Sequence, residues 1–216
     1  MLTRRSILAA LCAGVPAVLA GLPLAPRALA QQGPEAAPRR VPGELAAEAL
    51  ALPAAVPLGA EAADVVFLEF FDYNCPVCRA TAAHLGPLLA MENVGVRLMN
   101  YPILSDASRE AAAIALGVLA HAGPETYRTF HATLFESRGL VDGGRALRVA
   151  EETGLDPDAI GRAAALPGVA PALDHMVRLG RVMGFDATPT LLVGPWAYEG
   201  WVSLDRKQRI VADLRG

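Results

Sequence analysis

The residues of this 216-residue chain whose type and spacing most directly imply chemistry are Cys75 and Cys78, in the run Phe70-Phe71-Asp72-Tyr73-Asn74-Cys75-Pro76-Val77-Cys78. Pro76 suits the first position of a helix, where its missing N–H costs nothing, so Cys75 is placed at a helix start. Free N–H groups and the positive end of the helix dipole favour an anion there by about 0.3–1 kcal/mol, and up to about 2 kcal/mol when partly buried. That lowers a thiol pKa by a few tenths to about 1.5 units, and contacts to the sulfur extend the shift. Cys78 lies one turn along the same face, within reach of a mixed disulfide formed at Cys75. The pattern implies thiol-disulfide exchange, with Cys75 as the attacking thiol and Cys78 as the resolving one. A structural crosslink is the weaker explanation, because a disulfide closing so short a loop removes little unfolded-chain entropy.

Half of a zinc site is the competing use of Cys-x-x-Cys, and it needs two further ligands. No second cysteine pair exists, and His84, His121, His131 and His175 show no His-x-x-x-His spacing. His84 is also about 240° around a helix from Cys78. The sequence therefore implies no metal and no cofactor, and the histidines read as surface or internally satisfied structural residues.

The elements that must position the pair follow from periodicity. Residues 64–71 are β-branched, aromatic and almost continuously apolar around Glu69, which suits a central strand buried on both faces. A helix over 76–91 and a strand over 96–101, ended by Pro102, complete a βαβ unit with parallel pairing. Helical periods then occupy 108–121, 125–135, 145–153, 157–165 and 169–183. Strands return at 190–193 and 196–199 around Gly194-Pro195, a hairpin signal, and Ser203 caps a final helix to about Leu214.

Ahead of this lies a targeting pattern. Arg4 and Arg5 precede an apolar run to Leu24, and Ala28-Leu29-Ala30 supplies the small residues of a cleavage site, so the mature chain begins at Gln31. A transmembrane anchor is the alternative, disfavoured by Gly14, Pro16, Gly21 and Pro23. Thr3-Arg4-Arg5-Ser6-Ile7-Leu8 resembles the twin-arginine signal, and general secretory export stays open. Cleavage removes Cys12, leaving the 75/78 pair alone in an oxidising compartment. It also removes three arginines and no acid, leaving 16 basic residues against 22 acidic. A net charge of about -6 with no basic cluster excludes phosphate backbones as natural partners. Residues 31–61 are rich in Pro and Ala and read as a linker or mobile arm with one short helix near 44–50. An oligomerisation arm built on Leu45, Leu50 and Leu52 is the alternative.

Phe67-Leu68-Glu69-Phe70-Phe71-Asp72-Tyr73-Asn74-Cys75-Pro76-Val77-Cys78, together with Tyr101-Pro102-Ile103 and Ala187-Thr188-Pro189-Thr190, resembles the DsbA-like family of bacterial thiol-disulfide oxidoreductases over roughly residues 62–215. The resemblance implies an α/β fold: a thioredoxin fold (62–105 and 185–216) interrupted by an all-helical insertion (106–184). It implies a cis bond at Thr188-Pro189, with Thr188 and Pro189 beside the cysteines as a substrate-binding loop. For Glu69 it implies a proton relay beneath Cys78, against the plainer reading of an edge-facing residue without a role. Asp72 is a weaker candidate, more consistent with a turn or surface residue.

The family's activity implies a periplasmic oxidase of cysteine-containing exported proteins, reset by a membrane redox partner; the cleavable signal leaves no permanent membrane anchor, and the acidic charge leaves no nucleic-acid partner. Absence of a dimerisation domain before residue 62 points to a monomer and disfavours a dimeric isomerase. Pro76 and Val77 are the tuning positions of the pair. Val77 departs from the cationic residue of the most oxidising members and implies a milder oxidant. A reductase or isomerase with the same site, and a non-catalytic binding module, are the other readings.

Overall fold

The computed structural model describes residues 34–60 and 62–216. Their centre is a six-stranded mixed sheet. In chain order the strands are β1 (Pro38–Arg40), β2 (Val56–Gly59), β3 (Val65–Phe71), β4 (Val94–Asn100), β5 (Thr190–Val193) and β6 (Trp196–Glu199). They lie side by side as β1-β6-β5-β3-β4-β2. β3 pairs parallel with β4, and every other pairing is antiparallel.

The apolar run of β3 is explained by this place in the sheet. With a side-chain period of two, Phe67 and Phe71 enter one core and Leu68 and Phe70 the other. Glu69 falls in register with Phe67 and Phe71, so it too faces the first core. Phe67, Leu68 and Phe70 are fully buried, each worth about 1.5–3 kcal/mol of transfer free energy.

The helices are α1 (Gly43–Ala51), α2 (Pro76–Ala82), α3 (Leu85–Leu89), α4 (Asp106–Glu136), α5 (Gly143–Glu152), α6 (Pro157–Ala164), α7 (Val169–Val182) and α8 (Leu204–Arg215). Caps follow the side chains: the Ser105, Asp142, Asp156 and Ser203 oxygens accept N–H groups at the starts of α4, α5, α6 and α8. Within α4, Gly123 has φ 78° and ψ 177° and is followed by Pro124. The run is therefore two helices meeting at a kink, as the two periods 108–121 and 125–135 imply.

Two expectations need correction. The single helix over 76–91 is two, α2 and α3, parted at Ala83 and His84. Pro87 is the cause: it offers no N–H to the Ala83 carbonyl four residues back, and its ring crowds that carbonyl.

The segment 31–61 is also not a free arm over its described residues. β1 and β2 are the two edge strands of the sheet, and α1 is where the short helix was expected. Ala36 and Val41 donate to the carbonyls of Trp201 and Pro195, and Arg39 binds the Glu199 carboxylate at 2.9 Å and the Gly184 carbonyl at 2.7 Å. Short strands containing Pro38 and Pro57 suit edges, where an absent N–H breaks no ladder. Leu45 and Leu52 pack into the same core as Ala46, Ala49 and the α7 residues Leu173 and Met176. The apolar stripe is thus used within the chain. The expected export signal lies outside the described residues. Among the described residues, no helix is long and apolar enough to cross a membrane.

Candidate active site

Three residues carry the chain from the end of β3 to the first cysteine. Asp72 is 1% exposed. Its Oδ1 accepts the Asn74 N–H at 2.8 Å, its Oδ2 accepts the Leu104 N–H at 3.0 Å, and its carbonyl accepts the Cys75 N–H at 3.1 Å. Asp72 is a turn residue as expected but a buried one, since two backbone donors compensate its carboxylate for lost water.

Cys75 is the N-cap of α2, with φ -83° and ψ 118°. Its sulfur accepts the Cys78 N–H at 3.3 Å, and its S–H donates to the Thr188 carbonyl at 3.1 Å. Both cysteines are free thiols, Cys75 5% and Cys78 1% exposed. The Thr188-Pro189 bond is cis, and β5, which begins at Thr190, carries this loop to the pair.

These contacts split the thiols. Cys75 is lowered from the ordinary 9.0 to about 6. The largest cause is the hydrogen bond from the Cys78 side chain. Burial opposes it, and the Thr188 hydroxyl and the N–H groups of Cys78 and Val77 add to the lowering. The Thr188 hydroxyl is buried beside the sulfur without a hydrogen-bond partner among the described residues, and the direct Thr188 contact to Cys75 is through the carbonyl. Cys78 is pushed well above 9.0, first by burial, then by its bond to and repulsion from the Cys75 thiolate, with the Glu69 charge adding. The shift at Cys75 exceeds what a helix start supplies, because a second thiol donates to the first. Alkylation of the reduced protein should rise with pH through a midpoint near 6, with no second step before pH 9. A midpoint near 9 would show that the thiolate is not stabilised.

Beneath the pair lies a buried charge. Lys207 Nζ donates to Glu69 Oε2 at 3.3 Å, the two side chains being 2% and 12% exposed. The Thr81 hydroxyl lies 3.1 Å from both Glu69 Oε1 and the Cys78 carbonyl, tying the carboxylate to the cysteine's own helix. Lys207 was missed as a site residue. Its signal was available: it stands four residues before Val211, on the inward stripe of α8.

A second buried polar group flanks the site. Tyr73 Oη lies 3.1 Å from His131 Nδ1 and 3.3 Å from Tyr127 Oη, which accepts from Asn100 Nδ2 at 3.2 Å. Burial alone depresses His131 to about 3, so it is a neutral structural residue. Because its folded pKa lies below the ordinary 6.5, the unfolded chain takes up its proton first, and folding weakens as pH falls. The loss begins near pH 6.5, reaches at most about 1.4 kcal/mol per pH unit and ends near pH 3. Urea titrations between pH 7 and 4 should show this limb, and His131→Phe should flatten part of it, the rest coming from His84, lowered to about 4 first by its own burial.

His84 sits edge-on to Trp201 and His175 pairs with Glu48 at 3.0 Å. Among the described residues no three His, Cys, Asp or Glu side chains gather as a metal set. Val77, 36% exposed, borders Cys75 without a charge.

The family model described as Thioredoxin matches residues 52–213. A thioredoxin-like oxidoreductase from Silicibacter pomeroyi superposes with a TM-score of 0.70 at 33% identity, over 76% of this chain and 93% of that one. The thiol-disulfide exchange protein alpha-DsbA2 of Wolbachia pipientis gives 0.74 at 24% identity, over 79% and 92%. BdbD of Bacillus subtilis gives 0.67 at 22% identity, over 85% and 100%. No functionally curated protein matches the chain. With the family model covering most of its length and a 33% identical relative covered over most of both chains, the chain belongs to the family of thioredoxin-like oxidoreductases.

Proposed function

We propose that Cys75 and Cys78 are the redox pair and that the protein oxidises cysteine pairs of exported proteins. The observation that carries this is geometric: Cys75 caps α2 with its sulfur accepting the Cys78 N–H at 3.3 Å, beside the Thr188-Pro189 loop. A client thiolate attacks Cys75 Sγ in the oxidised enzyme, the Cys75–Cys78 bond breaks, and Cys78 leaves and takes up a proton. The second client thiolate attacks its own sulfur in the mixed disulfide, and Cys75 departs as a thiolate. The client loses two electrons and two protons and gains a disulfide; the enzyme is left reduced. A stabilised Cys75 thiolate is a good leaving group, which drives the reaction toward the reduced enzyme. Glu69, held near Cys78 through Thr81, relays the proton, and the Thr188-Pro189 loop receives the client backbone.

The setting belongs to the same proposal. Residues 1–30 are an export signal, twin-arginine in type, cut after Ala30, and the mature protein works as a periplasmic monomer reset by a membrane partner that removes two electrons. A periplasmic thioredoxin-like protein of Salmonella enterica, 21% identical, has the same fold.

Electron flow in the opposite direction, as a reductase or isomerase, is favoured by one observation. Thiols of this class run from about 3.5 in DsbA to about 7 in thioredoxin, and Cys75 at about 6 lies nearer the second. Equilibration with glutathione should place the reduction potential between about -270 and -120 mV, and a value at the upper end would remove the mild-oxidant reading. In the native host, trapping by acid and alkylation should find the pair mostly oxidised. A mostly reduced pair would assign the reductase role instead.

A further inference from the structure

The insertion does more than cover the site. Asn74, the residue before Cys75, spends its whole side chain on it: Oδ1 accepts the Val141 N–H at 2.8 Å, and Nδ2 donates to the Val141 carbonyl at 2.8 Å and to Ser108 Oγ at 3.1 Å. The amide thus pairs with both backbone groups of one residue, as a neighbouring strand would. Ser108 and Val141 are buried, at 1% and 0% exposure, so neither anchor is loose. Arg79, four residues after Cys75, donates to the carbonyls of Phe135 and Ser137. Both flanks of the nucleophile therefore bind one short stretch, 135–141, where the chain leaves α4 for α5.

This bracket bears on the thiolate. Cys75 Sγ accepts the Cys78 N–H at 3.3 Å and lies 3.1 Å from the Thr188 carbonyl, and the Cys78 side chain is the largest cause of its lowered pKa. Hydrogen bonds weaken steeply with misalignment, so a small shift of the Asn74 to Cys75 backbone degrades several at once. We propose that Asn74 is a positioning residue for Cys75, that Arg79 holds the other flank, and that segment 135–141 is the fixed point from which the insertion sets the reactivity of the pair. The inference rests on Cys75 being the nucleophile.

The test is the pH dependence of Cys75 alkylation by iodoacetamide in the full mature chain, read beside thermal unfolding. In Asn74→Ala the midpoint should move up by about one pH unit, lowering the rate well below the midpoint about tenfold. Arg79→Lys keeps the charge but loses the two-carbonyl fork. It should move the midpoint the same way, and it decides the matter if Asn74→Ala does not fold. A midpoint equal to wild type in a folded variant of either kind, whatever its melting temperature, overturns the proposal. Absence of any titration below pH 9 in the wild type would instead overturn the reading of Cys75 itself.

Discussion

A Cys75→Ser variant is expected to lose exchange with both small and protein disulfides down to the uncatalysed rate, whereas Cys78→Ser is expected to keep the first step and stall at the second. The asymmetry follows from the site. Cys75 is the thiol whose ionised form the surrounding donors stabilise, and its sulfur lies beside the Thr188-Pro189 loop. Cys78 is 1% exposed and held protonated by burial and by its neighbour's charge, so it cannot replace Cys75 against an external disulfide. Its work is intramolecular. Stopped-flow consumption of a model disulfide, with mass spectrometry of the products, separates the outcomes: a stable one-to-one adduct on Cys75 in Cys78→Ser, and none in Cys75→Ser. Cys78→Ala, which leaves no donor at that position, removes the largest cause of the lowered Cys75 pKa, so its alkylation midpoint should rise above 6. Equal loss in both variants at the first step would show that the cysteines do not divide the labour.

Lys207→Met should destabilise the protein by about 3–5 kcal/mol, as expected when one partner of a buried ion pair is removed and the other stays charged. Here the survivor is Glu69, whose remaining partner is a single hydroxyl, Thr81. The double variant Glu69→Gln, Lys207→Met leaves no uncompensated charge and should recover most of the loss. Denaturant unfolding of the two singles and the double forms a cycle whose coupling term measures the pair. A loss below about 1 kcal/mol in Lys207→Met would mean that the carboxylate finds water or takes up a proton. The pair also has a chemical consequence. The Glu69 charge raises Cys78, so Glu69→Gln should bring the Cys78 pKa down.

The cysteine pair, the central strand and the βαβ unit were legible because each is written locally: a dipeptide spacing, an unbroken apolar run, a proline at a helix start. The hairpin at Gly194 and the capped helices were legible for the same reason. The split between α2 and α3 was written too, in Pro87, but a continuous apolar period masks a single missing donor. The edge strands β1 and β2 were hidden because three or four residues containing proline carry no period. Only the unpaired edges of β6 and β4 make strands of them. Lys207 could be placed on the inward stripe of α8 but its partner could not, and Asn74 failed in the same way. Each matters through a partner 138 or 67 positions away, and no local pattern states which distant residue will close a contact.

Those separations set a timetable. The sheet order places β5 between β3 and β6, so β3 has only β4 beside it until synthesis has passed the whole insertion. Glu69 must wait longer still, for α8. A nascent chain that has just produced Cys75 and Cys78 therefore holds two exposed, ordinary thiols and an unneutralised acid, with neither the Thr188 loop nor the Val141 anchor yet in place. The low-pKa thiolate comes into existence only when nearly all of the chain is present, which keeps half-made molecules from reacting as finished ones.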